Sequence, residues 1–174
     1  MTAHALVLGG ARSGKSSLAL RMAEAIGPRR RFVATAEAFD AEMADRIARH
    51  KRERGAGWET LEAPLDLTGA IGSDGAADVV LVDCLTLWLS NLMFAGRDPA
   101  EETAIVMAAV HASRAPVILV SNEVGLGLVP ETPLGRAFRD AQGRLNQTVA
   151  THCRSVVFVA AGLQLSLKGP APET

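Results

Sequence analysis

The chain has 174 residues, 48% of them apolar, with a mean hydropathy of +0.17 and a formal net charge of −1 at pH 7. That suits one domain with one good core, and the near-neutral balance excludes both a global basic field for nucleic acid and a disordered acidic tail. Cys84 and Cys153 are too few and too isolated for a disulfide framework or a metal cluster, and the apolar stretch from Val79 to Ala95 is broken by Asp83 and Asn91, too short and too polar to span a bilayer.

Apolar Ala5-Leu6-Val7-Leu8 predicts a first strand close to the amino terminus, with no targeting leader before it, so a cytoplasmic protein is expected. The strand runs directly into Gly9-Gly10-Ala11-Arg12-Ser13-Gly14-Lys15-Ser16 and then into the helix-prone stretch Ser17 to Glu24. After a turn at Gly27-Pro28, Phe32-Val33-Ala34 predicts a second strand ending at Thr35. From Asp40, which can cap, to Arg54 the spacing of Met43, Ala44, Ile47 and Ala48 predicts a helix, closed by Gly55-Ala56-Gly57. Trp58 to Glu62 alternates like a short strand, Leu65 to Ile71 suits a brief helix, and Gly72 to Gly75 reads as a loop. Val79 to Val82 predicts a fully buried strand ending in Asp83, with an apolar helix behind it through Leu92. A helix over 100–112 and a buried strand over 116–120 follow, the latter terminated by Ser121-Asn122-Glu123. The stretch Gly125 to Gly135, with three glycines and two prolines, suits a mobile loop over a site. Thr132-Pro133 starts a helix whose expected core stripe is Leu134, Phe138, Ala141, Leu145 and Val149. Val156 to Val159 and Leu163 to Leu167 supply the final strands, and the tail from Gly169 should fray.

Strands alternating with helices predict an α/β fold with a mainly parallel sheet flanked by helices, whose ligands gather at the carboxyl ends of the strands. Gly9, Thr35, Asp83 and Asn122-Glu123 all fall at such ends, so one shared site is expected. Gly9-x-x-x-x-Gly14-Lys15-Ser16 is a phosphate loop: its glycines let backbone N–H groups turn onto phosphate oxygens at a helix amino terminus. Lys15 then reaches the outer phosphates, and Ser16 holds magnesium. Asp83 stands where a phosphate-loop enzyme places its magnesium-binding carboxylate, although capping the next helix is also a role for it. Glu123 suits either orientation of an attacking hydroxyl or magnesium, or else anchors its own loop. His4, His111 and His152 read as structural or surface residues. The run Arg46 to Arg54 packs five positive charges around His50, with Arg46, His50 and Arg54 four apart on one face. Such a run reads first as a solvated face; neighbouring cations nevertheless lower an imidazole's pKa and keep it neutral, as a nucleophile toward phosphorus requires.

Together these motifs resemble the bifunctional adenosylcobinamide kinase / adenosylcobinamide-phosphate guanylyltransferase family of cobalamin biosynthesis. The resemblance runs in order through Gly9 to Ser16, Arg46-Ile47-x-x-His50, Trp58 with Glu62, Asp83, Ser121-Asn122-Glu123-Val124-Gly125-x-Gly127-x-Val129-Pro130, Phe138-Arg139-Asp140 and Gly143-Arg144-x-Asn146-Gln147. It implies a three-layer, RecA-like P-loop NTPase fold and a homo-oligomer, a trimer. It implies that His50 takes GMP from GTP as a phosphoramidate, releasing pyrophosphate. Gly9, Gly10, Ala11, Arg12, Ser13, Gly14, Lys15 and Ser16 are then the nucleotide cradle, with Ala34, Thr35, Ala36, Lys51, Arg52, Glu53, Arg54, Glu62 and Asp83 as further nucleotide-binding positions and Ser16 and Asp83 as metal positions. The implied substrates are ATP or GTP with magnesium, adenosylcobinamide and its phosphate, with no tightly bound organic cofactor, no nucleic acid and no membrane insertion. Gly55-Ala56-Gly57 stands where members tend to carry a proline, which implies a looser loop after His50. Two rivals remain at this point: a small-molecule kinase in which His50 only binds phosphate, and a nucleotide-binding switch. The chain lacks the Asn-Lys-x-Asp guanine-reading motif expected of the switch.

Overall fold

Valine and leucine crowd the strands because both faces of the sheet are covered. The computed structural model describes residues 3–36, 57–72 and 77–170. Its strands are β1 (Ala5–Gly9), β2 (Arg30–Ala34), β3 (Trp58–Glu62), β4 (Val79–Asp83), β5 (Val117–Asn122), β6 (Ser155–Ala160) and β7 (Leu163–Lys168). They form one sheet in the order β3-β2-β4-β5-β1-β6-β7. All neighbouring pairs are parallel except β6 with β7. Parallel neighbours need a crossover, and helices supply it: α1 (Lys15–Ile26), α2 (Leu67–Gly72), α3 (Leu85–Phe94), α4 (Pro99–Ala112) and α5 (Pro133–His152).

Successive strand residues point to opposite faces, and the chain makes both faces apolar. Ala5 and Val7 of β1 and Leu81 of β4 meet Leu18, Ala19, Met22 and Ala23 of α1. Leu6 and Leu8, with Val80, Val82 and Leu119, meet α2 to α5 through Leu67, Leu85, Trp88, Leu89, Val106, Val110, Leu145 and Val149. The result is three layers. Trp88 is fully buried and its Nε1 donates to Leu65 O at 3.0 Å, so its one polar atom is satisfied within the apolar layer.

The helix starts follow their capping residues. Asp98 accepts from Ala100 N at 2.7 Å and Glu101 N at 3.2 Å ahead of α4, and Thr132 accepts from Gly135 N at 3.1 Å ahead of α5. No described helix is long and apolar enough to cross a membrane.

Two expectations need correction and two lie outside the description. Leu134 does not join the core stripe: it is 59% exposed, because the first turn of α5 overhangs the layer that Leu145 and Val149 enter. Ser121 and Asn122 do not merely end the fifth strand; they pair within it, Leu8 with Ser121 and Gly9 with Asn122. The helix expected over 40–54 and the Ser73 to Gly75 part of the loop lie outside the described residues.

Candidate functional site

β1 ends at Gly9 because nothing larger fits. A Cβ there would stand 2.5 Å from both Ser13 Oγ and Val159 O. The chain then turns through Arg12 at φ 56° and Gly14 at φ 97°, both left-handed, and only glycine adopts the latter without strain. Three contacts pin the loop: Ser13 N to Gly10 O at 3.3 Å, Gly162 N to Ser13 O at 2.9 Å, and Lys15 Nζ to Gly10 O at 3.1 Å. The middle contact comes from the β6–β7 turn, so that hairpin braces the loop.

Helix α1 begins at Gly14 with no side-chain cap and no acidic residue in its first turn. Lys15 N donates over a long 3.4 Å to Ser13 Oγ, and the positive dipole end of the helix favours an anion. Lys15 is folded back on the loop carbonyl of Gly10.

Neighbouring strands deliver the other groups. Ala34 is level with Asp83 on one side and Glu62 on the other, Asp83 is level with Val120, and Gly9 with Asn122. Glu62, Thr35, Asp83, Asn122-Glu123 and Gly9 thus lie along one edge of five adjacent strands, as the sequence pattern requires. The phosphate loop and Asp83 also act on one thiol. Cys84 is pushed up to about 11, first by burial and then by the Asp83 carboxylate, while Lys15 pulls the other way.

Thr35 is wholly buried and turned inward: its Oγ1 donates to Cys84 O and accepts from Cys84 N, both at 2.8 Å. Its carbonyl accepts from Asn91 Nδ2 at 2.9 Å, and Asn91 also donates to Pro64 O at 3.0 Å. The Thr35 side chain therefore ties β2 to the end of β4, leaving its backbone and Ala36 nearest the edge. His50, Lys51, Arg52, Glu53 and Arg54 lie outside the described residues.

The end of β5 is held by groups of which the sequence reading names only Asn146, as part of a family motif and with no role. Thr86 Oγ1 accepts from Asn122 N at 2.8 Å, and Asn146 Nδ2 donates to Asn122 O at 3.0 Å. Asn146 Oδ1 in turn accepts from Ser121 Oγ at 2.7 Å and from Gln142 Nε2 at 3.0 Å. Ser121, Gln142 and Asn146 are all buried, so this network fixes the strand end in a medium where each bond is costly to break. The four-residue spacing of Gln142 and Asn146 on the same helix face as Leu145 and Val149 is the signal that marks them.

A cavity of about 1090 Å³ lies at the opposite, amino-terminal end of the strands, between Ile26, Arg31, Ile71, Asp78, Ser113 and Pro116. The carboxyl ends of α1, α2 and α4 converge there, and their dipoles disfavour an anionic ligand.

With β5 inserted between the phosphate-loop strand β1 and the Asp83 strand β4, this is a RecA-like phosphate-loop protein. The profile of the family described as CobU, cobinamide kinase / cobinamide phosphate guanyltransferase, matches residues 5–167. The chain belongs to this family of enzymes. It is 46% identical over 168 residues to the bifunctional adenosylcobalamin biosynthesis protein CobP of Pseudomonas aeruginosa, covering 94% of this chain and 96% of that one. It is 41% identical over 182 aligned positions to CobU of Salmonella typhimurium, which carries the same description, covering 94% and 98%. Among solved structures, a KaiC-like protein of Pyrococcus horikoshii OT3 is similar over 90% of this chain and 71% of its own, at 13% identity and a TM-score of 0.49.

Proposed function

We propose that this chain performs both transfers of its family on one corrinoid substrate. In the first, the aminopropanol hydroxyl of adenosylcobinamide attacks the γ-phosphorus of ATP or GTP; the new O–P bond replaces the β–γ bridge, and a nucleoside diphosphate leaves. In the second, a His50 ring nitrogen attacks the α-phosphorus of GTP and pyrophosphate leaves. The phosphate of adenosylcobinamide phosphate then displaces the histidine, giving adenosylcobinamide-GDP.

The observation that carries this reading is the uncapped amino end of α1 behind Gly9 to Ser16, on the same sheet edge as Asp83 and Glu123. Phosphoryl transfer depends mainly on positioning and charge neutralisation, and the backbone N–H groups and Lys15 are fitted to both. Ser16 hydroxyl and Asp83 carboxylate are hard oxygen donors on that edge and suit magnesium, which when bound neutralises charge on the phosphates. Glu62 and Ala34, level with each other at the ends of β3 and β2, and Ala36 are further nucleotide positions in this reading. Lys51 to Arg54 beside His50 supply cations for departing pyrophosphate.

The reading includes a cytoplasmic homo-oligomer, a trimer. Two free buried cysteines fit the compartment, and Leu163, Leu165 and Leu167, 56–76% exposed on the edge strand β7, fit an oligomer contact. The test supplies adenosylcobinamide with ATP and afterwards GTP. A phosphate ester, then a GDP ester with release of pyrophosphate, is expected. Absence of the phosphate ester from the wild-type reaction, or its undiminished formation by Lys15→Ala, refutes the reading.

A further inference from the structure

The two transfers differ in one chemical respect. The nucleophile of the first is an alcohol, which must lose a proton as the O–P bond forms. The nucleophile of the last step is a phosphate, already ionised near neutrality, with no proton to lose. A single site serving both needs a proton acceptor for the alcohol alone.

Glu123 has the position and the freedom for this. Its backbone N–H donates to Gly9 O at 3.1 Å, which fixes it against the first residue of the phosphate loop. The preceding residue, Asn122, is clamped at N by Thr86 and at O by Asn146, so the strand end cannot drift. One carboxylate oxygen, Oε1, accepts from Gly125 N at 2.7 Å, which sets the rotamer and leaves Oε2 for another partner. Among the described residues, Asp78, Glu59, Glu102 and Asp140 each pair with an arginine, whereas half-buried Glu123 has no cationic partner.

We infer that Glu123 is the general base of the kinase step. The acceptor hydroxyl donates to Oε2; as its oxygen bonds to the γ-phosphorus and the β–γ bridge breaks, the proton passes to Glu123, which returns it to solvent after the nucleoside diphosphate leaves. The GMP transfers do not use it. This inference rests on the two-transfer reading above.

Glu123→Gln separates the base from a mere loop anchor, because the amide oxygen still accepts from Gly125 N while the group no longer takes a proton. Phosphorylation of adenosylcobinamide should fall in kcat by about 100-fold or more, the usual contribution of a general base, with the KM for nucleotide little changed. GMP transfer to separately prepared adenosylcobinamide phosphate should proceed at the wild-type rate, which also reports that the variant is folded. Unchanged phosphorylation, or a parallel fall in both transfers, overturns the assignment to Glu123. A wild-type protein that forms no phosphate ester refutes the underlying reading instead.

Discussion

Thr35→Val replaces a buried hydroxyl with a methyl group of the same size and strands one backbone group, Cys84 N, while Cys84 O keeps its bond from Trp88 N at 3.2 Å. Thr35 is 0% exposed and Cys84 is 7% exposed, so neither Cys84 N nor Cys84 O gains water when the 2.8 Å bonds disappear. The stranded N–H costs about 1–3 kcal/mol and the lost bond to Cys84 O about 0.5–1.5 kcal/mol, together about 1.5–4.5 kcal/mol. The added methyl recovers about 0.8 kcal/mol by burial, leaving a net loss of about 1–4 kcal/mol. For a chain of 174 residues, each kcal/mol moves the melting temperature by about 2–4 °C, so a fall of roughly 2–16 °C is expected. Thermal unfolding followed by far-UV circular dichroism measures it, and nucleotide KM measured well below the transition is the companion assay. A melting temperature within about 1 °C of wild type, together with a large rise in KM, would refute the assignment of Thr35 to holding β2 against β4. It would mean that the hydroxyl contacts nucleotide instead.

The His4 imidazole is held below its ordinary value, first by burial and then by His111, and its Nδ1 accepts from Val117 N at 3.2 Å. The unfolded chain therefore takes up the proton more readily, so this contribution to stability is present above about pH 6.5 and is lost as pH falls through the lowered folded value. Urea midpoints at pH 8 and pH 5.5 should drop more for the wild type than for His4→Gln; equal drops would contradict the reasoning. Cys153 is pushed up to about 12 and Cys84 to about 11, chiefly by burial, so at pH 8 both thiols should resist a maleimide in the native protein and react promptly in denaturant. Fast native labelling of either would show that the core around it opens.

The elements legible in the sequence were those set by local pattern. Val79 to Val82 declares a buried parallel strand by apolar continuity, and Gly9 to Ser16 declares its turn by glycine spacing. Because strand ends in a parallel sheet share an edge, the common location of Gly9, Asp83 and Asn122-Glu123 follows from topology alone. Leu134 misled because helical periodicity records which face a residue occupies but not whether the helix has reached its partner layer. Gln142 is hidden for the opposite reason, and Asn146 is visible only within a family motif: polar residues on an apolar face are interpretable only once their partners, Ser121 and Asn122, are known to lie across from them. Thr35 was correctly placed at a strand end, but its inward rotamer depends on Cys84, 49 positions away. His50 within its run of cations has the pattern of a solvated helix, and its proposed role comes from family resemblance.

The most direct test is incubation of the purified wild-type chain and His50→Ala with magnesium and GTP labelled at the α-phosphate or, separately, the γ-phosphate. The α-label should remain on the wild-type protein through denaturation, labile to acid and stable to alkali, while the γ-label does not and His50→Ala carries neither. Absence of α-label from the wild type, or equal α-label on the variant, would contradict a guanylyl-histidine at His50.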